Sequence, residues 1–164
     1  MKVEGTSAVP APPERVYELL QDPDVLTKCI PGCEGLDRIA ESEYAMRMKI
    51  GIASISGRFD GKVRISEKIP PASFRMLVEG SGKIGFMKGD GVIKLTAAGA
   101  ASTTASTTVG FSGDVQVGGA IANVGQRLIE TTAKMIIARF FTALVGEASR
   151  PVQPEPLANS DKPF

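Results

Sequence analysis

The stretch 120-AIANVGQRLIETTAKMIIARFFTALVG-146 decides how the rest of the chain must fold. Its apolar residues recur with helical period, and at 1.5 Å per residue it predicts one continuous helix of roughly 40 Å. With Val117 just ahead of it, one face carries Ile121, Val124, Leu128, Thr132 and Met135. The opposite face starts polar, with Asn123, Arg127, Glu130 and Lys134, then turns apolar at Ile137, Phe141 and Val145. The segment 135-MIIARFFTALV-145 is therefore apolar almost all round, with Arg139 on the otherwise inward face. A helix of that kind is buried or meets a second apolar body.

What it covers is written upstream, where the period changes from 3.6 to two. The run 43-EYAMRMKIGI-52 sets Tyr44, Met46, Met48, Ile50 and Ile52 against Ala45, Arg47 and Lys49. In 54-SISGRFDGKVRIS-66, Ile55, Phe59, Val63 and Ile65 alternate with Ser56, Arg58, Asp60, Lys62 and Arg64. Such alternation marks sheet strands with one dry and one wet face. Beyond the break at Pro70-Pro71, 73-SFRMLVEGSG-82 and 91-GVIKLTA-97 read as strands, joined by an apolar, glycine-rich hairpin, 83-KIGFMKGDG-91. The Thr-rich end of 98-AGAASTTASTTVGFSGD-114 reads as a strand carrying Val109 and Phe111 on one face.

Nearer the start, KVEGTSAV (2–9) predicts a first strand. Pro12 and Pro13 suit a helix start, and Val16, Leu19 and Leu20 share one face of that helix. Pro23 stops it, Asp22 caps a second short helix with Val25 and Leu26, and Pro31-Gly32 turns the chain into the sheet. The fold class is α+β: one strand, two short helices, a meander of about six strands and the long helix, which grips the dry face of a curved antiparallel sheet. Residues 1–147 form this domain. The Pro-rich, polar stretch 148–164 is expected to be a disordered tail.

Composition narrows function. The chain has 164 residues, a net charge of +1, no Trp and no His. Without histidine there is no Ser-His or Cys-His nucleophile pairing and no histidine metal ligand. No basic run advertises nucleic acid. No signal peptide or membrane-spanning run is visible, so a cytoplasmic location is expected. In 28-KCIPGCEG-35, Cys29 and Cys33 raise the question of a metal clip or redox pair. Zinc needs about four ligands, so two cysteines without histidine fall short, and no metal site is expected. In a reducing compartment the pair reads best as small apolar packing residues. No carboxylate pair stands out as a general acid and base, so no catalytic residue is assigned.

The element order, together with PPERVYELLQDPDVLTKCIPGCEG (12–35), GFMKGDGVIKL (85–95) and VGGAIANVGQRLIE (117–130), resembles the START-like helix-grip (SRPBCC) superfamily. More narrowly it resembles the CoxG-like family, named for the G subunit of carbon monoxide dehydrogenase. The resemblance implies a hydrophobic cavity between sheet and helix, and an accessory role beside molybdenum-containing dehydrogenases, commonly described as recruitment of the enzyme to the membrane. It supplies no catalytic residue. On the sheet, the candidate cavity lining is Tyr44, Met46, Met48, Phe59, Met76, Val78, Val109 and Phe111. The helix adds Ile121, Leu128 and Met135, with Ile30 and Phe86 at the mouth. Flexible methionines let such a wall adapt to varied apolar guests, although the same residues would serve an ordinary core. Phe86 and Met87 at the hairpin tip, with Ile137, Phe141 and Val145 on the helix, form a candidate docking surface for membrane or partner.

The expected function is that of a non-enzymatic accessory protein at the inner face of the membrane. It would bind a lipid or quinone, without a covalent cofactor, and help couple a molybdenum-containing dehydrogenase. A cyclase- or isomerase-like enzyme, with Tyr44 as the one inward acid, and a structural protein with a filled core are the alternatives.

Overall fold

Lys2–Val9 alternates outward and inward side chains and forms β1 at one edge of the sheet. The computed structural model of the chain describes residues 1–52, 55–98 and 105–149. From β1 the chain crosses to the opposite edge through α1 (Pro13–Leu19) and α2 (Pro23–Cys29). Proline opens both helices, where a missing N–H costs nothing. Asp22 caps α2, its carboxylate accepting from the Asp24 N–H at 2.9 Å. Pro31 and Gly32 then turn the chain. Gly32 has φ 81°, its carbonyl accepts from Lys49 N–H at 2.8 Å, and a Cβ there would strike the Lys49 carbonyl.

Six strands return across the molecule: β2 (Cys33–Ala40), β3 (Glu43–Ile52), β4 (Ile55–Ile69), β5 (Ser73–Gly82), β6 (Gly85–Ala98) and β7 (Ser106–Gly118). All pair antiparallel, and β1 joins beside β7, giving the order β1-β7-β6-β5-β4-β3-β2. The meander is as expected. The pairing of the first strand with the last is long-range and carries no local signal. Glycines on the inner face let the long strands bend: a Cβ on Gly113 would lie 2.7 Å from the Asp90 carbonyl oxygen, and one on Gly91 3.0 Å from that of Ser112. The outer face carries cross-strand ion pairs, among them Arg47–Asp37, Arg64–Glu43 and the two-pronged Arg75–Asp90. The Arg75 guanidinium holds the Asp90 carboxyl below its usual range.

Two expectations need correction. The hairpin turn is only Lys83–Ile84, closed by the Gly82–Gly85 pair, so Phe86 and Met87 belong to β6 rather than to a tip. The long helix is also not continuous. Gly119–Val124 forms a 3-10 turn, Gly125 breaks it at φ 101° and ψ 144°, and α3 runs from Gln126 to Ala148. The apolar period spans the break because Ile121 still faces inward, where its N–H donates to the Ile84 carbonyl at 2.7 Å. The expected tail, from residue 150 on, and the low-complexity 99–104 lie outside the described residues.

Candidate functional site: the gap between sheet and helix

Three buried clusters close most of the interior. The first joins Val9, Val16, Cys29, Phe74, Leu95 and Val109 to Leu144 and Ala148, so the C-terminal half of α3 is anchored against α1, α2 and the sheet. A second, of Leu26, Leu36, Tyr44 and Val63, lies along β2–β4, with Phe140 packed on it. The third closes the far end, where Ile121 and Ile84 meet Met48 and Phe59. The N-terminal half of α3 joins none of these clusters. Leu128, Ile129, Met135 and Ile136 stay half-buried, so apolar surface there is left unsealed.

The opening lies along β1. A groove of about 550 Å3 runs between that strand and α3. Its apolar walls are Val3, Phe111, Ala133, Ile137, Phe141 and Val145, and Lys2, Glu4, Glu130 and Lys134 form a charged rim. Phe111 stacks on Phe141 with centroids 5.5 Å apart, and Phe140 meets Phe141 edge-on at 5.2 Å. Phe111 can lie over β1 because its register partner is Gly5, where a Cβ would come within 2.9 Å of the ring. A second depression, of about 500 Å3, lies among charged residues such as Lys62, Glu79, Lys88 and Asp114 and offers little to an apolar guest.

The candidate residues divide accordingly. Tyr44, Met48, Phe59, Val109 and Ile121 are buried in the clusters. Ile30, Met46, Met76 and Val78 pack on those clusters but remain half-buried. Leu128 and Met135 sit half-buried on the unsealed half of α3, and Phe111 lines the groove. Phe86 does not face the cavity. Register puts it on the outer face, 42% exposed, over Gly118, while Met87 points inward opposite Gly80 and Val117. Ile137, Phe141 and Val145, expected as an outward docking face, turn toward β1 and line the groove with Phe111. The groove was missed because β1's place beside β7 cannot be read from periodicity. Its one local trace is the small residue Gly5 in an otherwise alternating strand.

Polar chemistry in the interior is sparse. The Tyr44 hydroxyl donates to the Gln21 carbonyl at 3.2 Å and accepts from Arg38 Nη2 at 3.3 Å, bracing β3 against the α1–α2 link. The Tyr17 hydroxyl donates to the Ser73 carbonyl. Cys29 is buried on α2 and Cys33 is half-buried on β2, and both are free thiols. Burial, reinforced by the negative charge of Glu147, pushes the Cys29 thiol up to about 11. Among the described residues no group of three or more His, Cys, Asp or Glu is placed to hold a metal ion, and no helix is long and apolar enough to cross a membrane.

Similar folds are found among solved structures. A conserved protein from Geobacillus kaustophilus is 33% identical, with TM-score 0.85, covering 91% of this chain and 95% of that one. A START superfamily protein from Mycobacterium smegmatis has TM-score 0.72 at 16% identity, over 90% and 96% of the two chains. The ZhuI aromatase/cyclase from Streptomyces sp. R1128 has TM-score 0.59 at 16% identity, over 98% and 96%. Comparison with curated proteins finds no significant match. The pattern that defines one family, the carbon monoxide dehydrogenase G subunit (CoxG), matches residues 5–149, almost the whole described chain. With its antiparallel sheet, gripped helix and apolar groove, the chain belongs to the CoxG family of carbon monoxide dehydrogenase.

Proposed function

We propose that this protein is a non-enzymatic accessory protein that takes up a hydrophobic ligand, a lipid or a quinone, and helps couple a molybdenum-containing dehydrogenase to the membrane. The observation that carries the ligand reading is the apolar groove of about 550 Å3 between β1 and α3, continuous with an unsealed half-helix. Concave, mostly apolar sites of that size suit small hydrophobic guests. A binding role also fits an interior in which both tyrosine hydroxyls already bond to backbone carbonyls. Family membership supports the dehydrogenase partner, and a redox enzyme passing electrons to a membrane acceptor gives a quinone a purpose. The protein needs no covalent cofactor for this role and meets the membrane from its inner face as a peripheral partner.

Re-isolation from quinone-containing phospholipid vesicles, followed by solvent extraction and mass spectrometry, tests the ligand reading. Stoichiometric quinone or lipid is expected, and protein recovered empty from every vesicle composition sinks it. Phe86, the exposed aromatic on the outer face, is the place to probe membrane contact. Phe86→Asp is expected to weaken flotation with vesicles while leaving ligand content unchanged, and undiminished flotation removes that face from the account.

A further inference from the structure

Resting on that reading, the structure points to a specific recognition element: we propose that the hydroxyl of Thr132 is the polar anchor for the ligand, donating a hydrogen bond to a single neutral carbonyl oxygen on an otherwise apolar guest. Thr132 is 5% exposed, and among the described residues its Oγ1 has no hydrogen-bond partner. The one other buried atom in that state is Arg15 Nε.

The contrast with neighbouring hydroxyls is the argument. Thr131 donates to the Arg127 carbonyl at 2.9 Å, Thr27 to Pro23 at 2.7 Å and Ser149 to Val145 at 2.7 Å, each bonding back one helical turn. Thr107, the other buried polar residue, donates to the Ala11 carbonyl at 2.7 Å. Thr132 alone among these forgoes a bond that a helix supplies at little cost. A buried hydroxyl left unmade costs about 1–3 kcal/mol, a deficit that a bound oxygen atom removes.

Its surroundings fit an apolar guest. Leu128 and Met135 share its helix face, Ile136 lies a turn beyond, and all three are half-buried on the half of α3 that no core cluster seals. At about 100° per residue Thr132 falls opposite Phe141, which lines the groove. A guest entering by the groove and passing between helix and sheet therefore reaches the hydroxyl on the far side. A lone hydroxyl satisfies a neutral carbonyl but does little to offset the burial of a carboxylate, so neutral ketones and quinones are selected over fatty acids.

The test is competition against a bound fluorescent apolar dye, using a long-chain methyl ketone, the alkane of equal length and the matching fatty acid. Wild type is expected to prefer the ketone. Thr132→Val, which removes the hydroxyl at nearly constant shape, is expected to weaken ketone binding about tenfold, the equivalent of one hydrogen bond. The same change leaves the alkane unaffected and keeps or raises the melting temperature, and Thr132→Ser retains the preference. Equal ketone affinity in wild type and Thr132→Val overturns the anchor while leaving the ligand-binding reading intact, as does equal loss for ketone and alkane. Failure of wild type to bind any of the three probes overturns both.

Discussion

Cys29 and Cys33 share the CIPGC stretch yet end in different environments, because Gly32 turns the chain from α2 into β2 between them. Buried Cys29 holds its proton up to about 11, against 9.0 for an ordinary thiol. Thiol labelling at neutral pH is therefore expected to modify Cys33 first and Cys29 only on unfolding, and equal labelling in the folded state would contradict this placement. The folded state keeps that proton where the unfolded chain has released it. The stability Cys29 contributes is thus fully present below pH 9 and is lost as pH climbs toward 11. Cys29→Ala should flatten that alkaline slope in denaturant titrations. At this scale the sequence was legible where period two operates: alternation assigned Tyr44, Met48, Phe59 and Val109 to the dry face, and all are buried. It misassigned Phe86 because a turn of two residues rather than several shifts every following side chain to the opposite face.

Among the elements, α3 shows both the strength and the limit of periodicity. The 3.6-residue pattern located it, but the same pattern runs through Gly125 and hides the break between the 3-10 turn and the helix. Only backbone geometry exposes that junction, since φ 101° with ψ 144° is a region that residues with a Cβ avoid. Gly125→Ala is expected to cost about 1–3 kcal/mol although nothing lies within 4 Å of the added methyl. Gly146→Ala, equally uncrowded but inside α3, should stabilise by about 0.5–1 kcal/mol. Thermal melts of the two variants should move in opposite directions, and an unchanged melt for Gly125→Ala argues that the junction does not hold α3 in place. The all-round apolar character of 135–145 also finds its cause here, because Phe140 and Leu144 fill the core while Ile137, Phe141 and Val145 wall the groove.

For the whole molecule, strand order, sheet type and family were readable from the meander, the two proline-started helices and the last amphipathic segment. The position of the opening was not. It depends on β1 pairing with β7 across some hundred residues of chain, with Lys2 opposite Asp114 and Val9 opposite Thr107. That pairing brings the last helix alongside the edge strand and leaves the groove. Clusters at both ends and along β2–β4 then make the β1 side the natural entrance for a guest. Ala138 is exposed and lines this groove, so Ala138→Trp fills the entrance without crowding the core. Native mass spectrometry of wild type and Ala138→Trp, each incubated with the same quinone, tests the central claim most directly. The account predicts a one-to-one adduct for wild type that is lost in Ala138→Trp at unchanged melting temperature, and an adduct equally abundant in both proteins would contradict it.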